Sequence, residues 1–363
     1  MKQRILFAAQ NMAVGGIHTS LVNLLQVMEE TCKNQYEIEL FTFGKGALLR
    51  QVPDSVKITC GKKLLGLSAT SFRDVVKSRR VVDIFLRVFL RLWVKMVGSE
   101  RFYRQMFKKH RPKAPYDIAI SYFNDVSAGY FNKGTNLFVS DYVEAKEKIA
   151  FIHTDPIGAG FQADVCRETY RKFDRILCVS QAVKEKFDGL VPEYADKTEV
   201  CGNRFPKMRI LQKADAYVPF VDDGKFHIVT VGRMDNATKR MDGIVRLCKR
   251  LQDDGVTNFV WHLVGDGPDL EKDRDLARKL AVEDVTDFCG ELDNPFPYMK
   301  GADLFALFSR YEGQPMVIGE AMVLGTDILT TNYAAAQEQL GTYGCIAEDD
   351  EAFYSALKER ILQ

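Results

Sequence analysis

The sequence predicts an α/β protein built from two doubly wound units with parallel sheets. Three observations carry this. Short β-branched or aromatic runs alternate with longer segments of helical periodicity along the chain. The alternation breaks once, near residues 202–225, where Asn203, Pro206, Pro219 and Gly224 interrupt all periodicity, and then restarts. A length of 363 residues also points to two domains. In the first half, strands are expected at residues 4–9, 37–43, 117–122, 148–153 and 175–180. The second half restarts with 226–231, a near-continuous apolar run suited to a strand buried on both faces. Strands at 259–264, 285–289, 304–308 and 327–329 follow, with helices over 241–252, 270–281 and after Pro315. Residues 1–205 are assigned to an N-terminal and 222–363 to a C-terminal Rossmann-like domain, with 206–221 as linker. Ligands of such folds bind at the carboxyl ends of the strands.

Composition is that of a soluble globular chain, 46% hydrophobic and 27% charged. The eight cysteines, Cys32, Cys60, Cys166, Cys178, Cys201, Cys248, Cys289 and Cys345, are scattered without a C-x-x-C pair. They read as reduced cytosolic thiols, neither a zinc site nor a disulfide frame. The N-terminal M-K-Q-R-I-L-F-A-A-Q reads as a first strand and not as a signal peptide. A cytoplasmic protein is expected. There is no H-E-x-x-H, G-x-S-x-G or Walker loop. Asp222 and Asp223 form an adjacent pair in the linker and lack the spaced D-x-D of metal-dependent transferases, so no metal is implied.

The most informative run is R-Y-E-G-Q-P-M-V-I-G-E-A-M, residues 310–322. Glu312 and Glu320 stand eight positions apart, a little over two helical turns. Gly313 and Pro315 argue against one continuous helix, since Pro suits a first turn and not an interior. Glu312 is therefore expected in a loop at a strand end, and Glu320 about a turn into the next helix. The backbone N–H groups of Gln314, Met316 and Val317 then lie at a positive helix N-terminus. That is an anion site with hydroxyl-binding carboxylates at its edges. It suits a sugar nucleotide, a diphosphate flanked by two polyols.

Four other segments bear on the same chemistry. N-M-A-V-G-G-I-H-T-S-L follows the first strand, and Gly15 and Gly16 make a turn before a helix that Thr19 or Ser20 could cap. The spacing is not the G-x-G-x-x-G of dinucleotide-binding proteins. V-G-R-M-D-N-A-T-K-R-M-D follows the strand at 226–231. Its Arg233 and Lys239, held rigidly, could neutralise a diphosphate leaving group. In L-V-G-D-G-P, Gly265 and Gly267 turn into a helix starting at Pro268, with Asp266 a turn residue. His153 ends the strand I-A-F-I-H, just before Asp155 and Pro156.

The run 310–322 resembles the E-x7-E motif of retaining glycosyltransferases, specifically glycosyltransferase family 4 with the GT-B fold. The resemblance covers most of the chain in order and spacing and is specific in the second half. It implies two Rossmann-like domains facing an interdomain cleft, an N-terminal acceptor domain and a C-terminal donor domain. Glu312 would contact donor-sugar hydroxyls and Glu320 the ribose. Gly232, Arg233 and Lys239 match the family's diphosphate-binding pattern, and Gly265 lies in a segment like its V-G-x-G-P near the base. The backbone of Gly15 and Gly16 would lie near the donor phosphates and acceptor. His153 matches a His that contacts the donor sugar near its reacting carbon, with His18 as the alternative. Residues 178–180 match a structural V-S segment. The implied catalytic set is His153, Arg233, Lys239 and Glu312. Gly15, Gly16, Gly232, Arg233, Lys239, Gly265, Gln314, Met316, Val317 and Glu320 would bind donor. Two departures stand out. Pro315 replaces a common Gly, removing one N–H, and the chain stops soon after 354–362, where relatives often cross back to the first domain.

Residues 73–113 carry thirteen Lys/Arg against Asp74, Asp83 and Glu100, a net +10, leaving −9 for the rest of a chain of net +1. Such a field implies an anionic partner or surface. Within it, V-V-D-I-F-L-R-V-F-L-R-L-W-V-K-M-V-G is apolar on most of its circumference, with Arg80, Asp83, Arg87, Arg91 and Lys95 drawing one narrow polar stripe. It fits a helix in the interface of an anionic membrane with Trp93 and phenylalanines inserted. A helix packed on the first sheet, its stripe in solvent, is the other reading. No nucleic-acid motif accompanies the charge. The expectation is a retaining, metal-independent enzyme moving a sugar from a nucleotide-sugar, UDP favoured, to a lipid-linked glycan hydroxyl in bacterial-type surface polysaccharide synthesis. It would need no other cofactor and would work at the inner membrane face. A nucleotide-sugar epimerase of the same fold, or a non-catalytic membrane- or nucleotide-binding module, are the alternatives.

Overall fold

A computed structural model describes residues 2–125, 131, 134–220 and 223–363. Asp222 and the side chain of Arg73 lie outside the described residues. The chain divides into two compact units, Met1–Arg204 and Phe205–Gln363.

The first unit holds a parallel sheet of seven described strands: β1 (Gln3–Ala9), β2 (Tyr36–Thr42), β3 (Lys57–Cys60), β4 (Tyr116–Ser121), β5 (Ala145–Ile152), β6 (Arg175–Cys178) and β7 (Thr198–Val200). Their order is β3-β2-β1-β4-β5-β6-β7. β1 shows why the apolar runs are continuous. Leu6 and Ala8 enter one core with Phe41, Phe43 and Phe138, while Phe7 and Ala9 enter another with Leu21 and Leu25. β3 and β7 are the edge strands that sequence patterning missed. They have four and three residues, with largely exposed side chains, and so carry no apolar run.

The second unit holds β8 (Phe226–Val231), β9 (Phe259–Val264), β10 (Thr286–Gly290), β11 (Leu304–Leu307), β12 (Ile328–Thr331) and β13 (Cys345–Ala347). They are parallel and ordered β10-β9-β8-β11-β12-β13. Ile228, Trp261 and Leu263 face a core shared with Leu304, Phe308 and Phe353. The stretch 206–221, expected as a linker, is helical over Lys207–Ala214 and packs on the helices Phe296–Gly301 and Met316–Leu324. It buries Ile210 and Ala214 at i and i+4, a signal too short to read against the flanking prolines. The helix Asp350–Leu362 packs on β12 and β13 of its own unit through Phe353, Tyr354 and Leu357.

In the helix Val81–Val97 two of the five residues of the polar stripe, Asp83 and Arg87, point inward, so the stripe is not wholly in solvent. Asp83 is buried and pairs with Lys63 at 2.7 Å. The Arg87 Nε–H donates to the Thr70 carbonyl at 3.2 Å, and its guanidinium covers the Phe131 ring at 4.1 Å. Trp93, expected at the membrane, packs edge-on against buried Phe102. What faces outward is apolar: Val81, Val82, Phe85, Phe89, Leu92 and Met96, with Phe85 73% and Met96 79% exposed. On a helix apolar nearly all round, the neighbouring helices Lys63–Ala69, Phe72–Lys77 and Ser99–Phe107 decide which face is covered.

At the carboxyl ends of β8 and β9 the backbone comes unusually close. A Cβ on Gly265, whose φ is +147°, would stand 1.9 Å from the Gly232 carbonyl oxygen. One on Gly267 would stand 2.2 Å from the Met234 carbonyl oxygen. The two loops are further tied by Met234 N–H to Asp266 O at 3.1 Å and Asp269 N–H to Met234 O at 3.1 Å. The expected helix start at Pro268 moves to Leu270, with the intervening residues spent on this turn. Gly265→Ala should therefore cost roughly 2–3 kcal/mol in urea unfolding, the upper part of the range for overpacking. A loss below about 0.5 kcal/mol would mean the loops are free to separate.

Candidate functional site

The order of the second sheet reverses between β8 and β11: the chain steps outward from β8 through β9 to β10, then returns to β11 on the other side. Such a reversal leaves a crevice at the carboxyl ends of the two central strands. The loops after β8 and β11 meet there. The Arg310 N–H donates to the Thr238 carbonyl at 2.8 Å, and the Thr238 hydroxyl reaches the Tyr311 hydroxyl at 3.4 Å. Lys239 and Glu312, one from each loop, form an ion pair that is largely shielded from solvent. The Lys239 stem runs over Gly232, where a Cβ would meet Lys239 Cε at 3.6 Å. Gly232, Lys239, Gly265 and Glu312 are thus brought to one end of one sheet. Arg233 lies on the same loop, exposed.

The β8 loop is clamped by a residue that the sequence reading passed over. Asn236 donates its N–H to Asp269 at 3.0 Å and its side-chain amide to Asp273 at 2.6 Å, and accepts the Asp242 N–H at 3.1 Å. Asp273 is 1% exposed; burial, with Asp242 and Asp269 nearby, pushes its carboxyl up to about 6. Asn236 is more than thirty residues from Asp269 and Asp273 in sequence, and the three carry no motif. Tyr333 was also missed. Burial and the nearby Glu312 charge push its phenol up, placing it beside the ion pair.

The helix Met316–Leu324 starts after Pro315, which is extended and acts as N-cap, so Glu312 stands in the loop and Glu320 in the second turn, as expected. Pro315 offers no side-chain cap to this N-terminus, where the Met316 and Val317 N–H groups lie. Gln314 and Pro315 precede it, and the Pro315 carbonyl accepts from Gln339 at 2.9 Å. Glu320, expected as a hydroxyl-binding carboxylate, is buried in this unit. It is 4% exposed, and burial pushes its carboxyl up to about 7, partly offset by the Lys213 ammonium of the helix Lys207–Ala214. The adjacent Gly319 lies under the Phe205 ring, where a Cβ would stand 2.1 Å away.

In the first unit the sheet order reverses between β1 and β4. Gly15 and Gly16 follow β1; nothing lies within 4 Å of a Cβ built on either, so no packing demands glycine there. Gly15 itself caps the helix Gly16–Cys32. Thr19 and Ser20, expected as caps, fall inside it, and the Ser20 hydroxyl instead donates to Asn203 at 2.6 Å and meets the Tyr122 hydroxyl at 2.8 Å. Ser180 caps the helix Gln181–Leu190 by accepting the Val183 N–H at 3.2 Å, the structural role expected of residues 178–180. The competing histidines turn out to be neighbours. His153 follows β5, its N–H held by Asn124 at 2.9 Å. Burial, with some repulsion from His18, lowers its imidazole to about 3. Burial lowers His18 to about 4, although its Nδ1–H donates to the Ala13 carbonyl at 3.0 Å. Both rings are neutral, and both Nε2 atoms are buried without a partner among the described residues.

Residues 225–362, within the second unit, match the family described as Glycosyl transferases group 1. The chain is 28% identical over 187 residues, 50% of this chain and 48% of its relative, to N-acetylgalactosamine-N,N'-diacetylbacillosaminyl-diphospho-undecaprenol 4-alpha-N-acetylgalactosaminyltransferase of Campylobacter jejuni. It is 33% identical over 101 residues, 27% of this chain and 17% of its relative, to the Vi polysaccharide biosynthesis protein VipC/TviE of Salmonella typhi. The chain spans less than half the length of the curated relatives it matches. Among solved structures it resembles Anabaena HepE in complex with UDP-glucose, with TM-score 0.68 and 16% identity over 100% of this chain and 90% of that one. At that identity the likeness is one of fold, the GT-B arrangement of two parallel-sheet, Rossmann-like domains.

The buried Glu320 carboxyl sets a pH dependence. Its folded value, about 7, is raised above the ordinary 4.5, so the folded unit holds a proton that the unfolded chain releases between those values. Stability therefore falls as pH rises through that window, by up to about 3 kcal/mol. Glu320→Gln should melt progressively above the unaltered protein as pH goes from about 5 to about 8. A melting difference constant across that range would mean the carboxyl ionises normally.

Proposed function

We propose that the chain is a retaining GT-B glycosyltransferase moving a sugar from a nucleotide-sugar, with UDP favoured, to a hydroxyl of a lipid-linked glycan. The observation that carries this is the Lys239–Glu312 pair at the β8/β11 reversal, beside the N-terminus of the helix Met316–Leu324. A diphosphate at that N-terminus meets helix N–H groups and takes Lys239 from Glu312, with exposed Arg233 as a second cation. Glu312, released, accepts from donor-sugar hydroxyls, and Glu320 serves the ribose. As the anomeric C–O bond breaks, negative charge grows on the β-phosphate, where the fixed cations stabilise it without a metal. The leaving phosphate oxygen takes the acceptor hydroxyl proton, and the acceptor oxygen bonds to the anomeric carbon on the face just vacated, which retains configuration. The first unit is assigned to the acceptor, with Gly15, Gly16 and the neutral His153 at its strand ends. The Campylobacter jejuni relative is named for a diphospho-undecaprenol acceptor and HepE was solved with UDP-glucose, and both support the reading.

Nucleotide release from UDP-, GDP-, dTDP- and ADP-sugars, with and without a polyprenyl-linked glycan, tests it. Lys239→Ala should lower turnover about 10²–10³-fold, with a smaller rise in KM. Glu312→Gln should bind free UDP at least as tightly as the unaltered protein, because Lys239 is no longer held, yet lose transfer. No nucleotide release from any donor would refute catalysis. Conversion of one nucleotide-sugar into another without acceptor would identify an epimerase.

We also propose that the enzyme works on an anionic membrane through the helix Val81–Val97. Its outward apolar face, with Phe72 and Val76 exposed nearby, is bordered by exposed Arg79, Arg80, Arg91, Lys95 and Arg101. No helix among the described residues is long and apolar enough to cross a membrane. Phe85→Ser with Met96→Ser should abolish co-sedimentation with anionic vesicles. Arg91→Glu with Lys95→Glu should weaken it by about 2 kcal/mol or more, less at high salt. Arg87 and Trp93 are left intact because they pack on the protein. Equal sedimentation of the Phe85/Met96 variant, or none of the unaltered protein, would leave the helix without a lipid partner.

A further inference from the structure

A cluster that the transfer does not use lies at the edge of the second sheet. β10 is the edge strand among the described residues, and its Asp287 and Cys289 lie beside His262 of β9. His262 Nδ1, an Asp287 carboxylate oxygen and Cys289 Sγ all fall within 4.8 Å of one another. His262 Nδ1 is 2.9 Å, and Cys289 Sγ 3.3 Å, from Asp287 Oδ2. Ligands about 2.0–2.3 Å from a tetrahedral zinc ion stand roughly 3.3–3.8 Å from each other, so the His262–Asp287 and Cys289–Asp287 spacings need only small shifts and side-chain rotation closes the third. Asp287 is exposed, leaving an entry path and a fourth position for water.

The surroundings are built around His262. Its Nε2 lies 3.0 Å from Nδ1 of His227, whose Nε2 lies 3.2 Å from Asp223 Oδ1. Phe220 stacks on both rings, at 4.4 and 4.5 Å between centroids, and fixes their planes. Three contacts in the row Asp287–His262–His227–Asp223 each need one proton, yet two neutral imidazoles carry only two N–H groups. The row closes with an extra proton, or with a cation on His262 Nδ1. In the second case His262 Nε2–H donates to His227, and His227 Nε2–H donates to Asp223. That is the outer-shell support that ligating histidines ordinarily have.

We propose that His262, Asp287 and Cys289 bind one zinc-class divalent cation, oriented through His227 and Asp223 and separate from the carboxyl-end site of the same sheet. A thiolate, an imidazole and a carboxylate with an open fourth position suit zinc better than magnesium or calcium. The ion staples β9 to the edge strand β10. Binding displaces the thiol proton of Cys289, so protons compete with the ion and affinity falls in acid.

Cobalt(II) and zinc(II) titrations of the full chain, stripped with chelator, test this. One equivalent of cobalt should produce a thiolate-to-cobalt absorption band, which zinc displaces, and zinc should raise the melting temperature. Cys289→Ser should abolish the band while circular dichroism stays unchanged. His227→Ala should keep the band and weaken affinity about 10–100-fold. Asp287→Asn, which keeps the shape of the edge strand, should also weaken binding if Cys289→Ser proves unstable. No band at one equivalent, or a band surviving in folded Cys289→Ser, would overturn the site.

Discussion

The close contact of the β8 and β9 chain ends, with the Gly232 carbonyl lying where any side chain on Gly265 would have to be, is the constraint from which the candidate donor site hangs. In a parallel sheet every carboxyl end lies on the same edge, and the reversal between β8 and β11 opens a gap there. Side chains can be aimed into that gap only from rigid loops. The β8 loop is made rigid by the glycine contacts and by the three bonds of Asn236, the β11 loop by its bond to Thr238. Lys239 and Glu312 then meet because their loops meet. The first sheet also reverses, between β1 and β4, with a glycine turn after β1, His18 in the helix that follows it and His153 after β5.

Several groups at these ends are held in states that water would not choose. Lys239 and Glu312 neutralise each other, which keeps a shielded cation from standing uncompensated before an anion arrives. Glu320 and Asp273 are raised by burial, and His18 and His153 are kept neutral by it. A unit selected for stability alone would replace such groups with apolar ones. Groups perturbed in this way mark candidate functional positions in each unit.

Two surface features point elsewhere. The outward face of the helix Val81–Val97 exposes more apolar side chain than a solvated helix needs, and basic residues border it. The His262, Asp287 and Cys289 cluster lies in the sheet that carries the candidate donor site, across its edge strand β10 and the neighbouring β9. Hydrophobic attraction, helped by surface charge, would act at the first, and coordination by soft and charged ligands at the second.

The sequence by itself determined the α/β class, most strands and the placement of Glu312 and Glu320 about Pro315. A strand buried on both faces must be apolar throughout, and a helix started by Pro315 must put Glu312 before it and Glu320 inside it. Those are local rules, and they leave local traces. β3, β7 and β13 leave none, because three or four residues at a sheet edge or near it need no apolar run. The tertiary structure alone decided which side of the helix Val81–Val97 is covered, since a helix apolar nearly all round can turn several faces to its neighbours. It alone buried Glu320 beneath the helix Lys207–Ala214 and brought His18 to His153. It alone set His262 beside Asp287 and Cys289, by pairing β9 with β10 in a register that no spacing along the chain records.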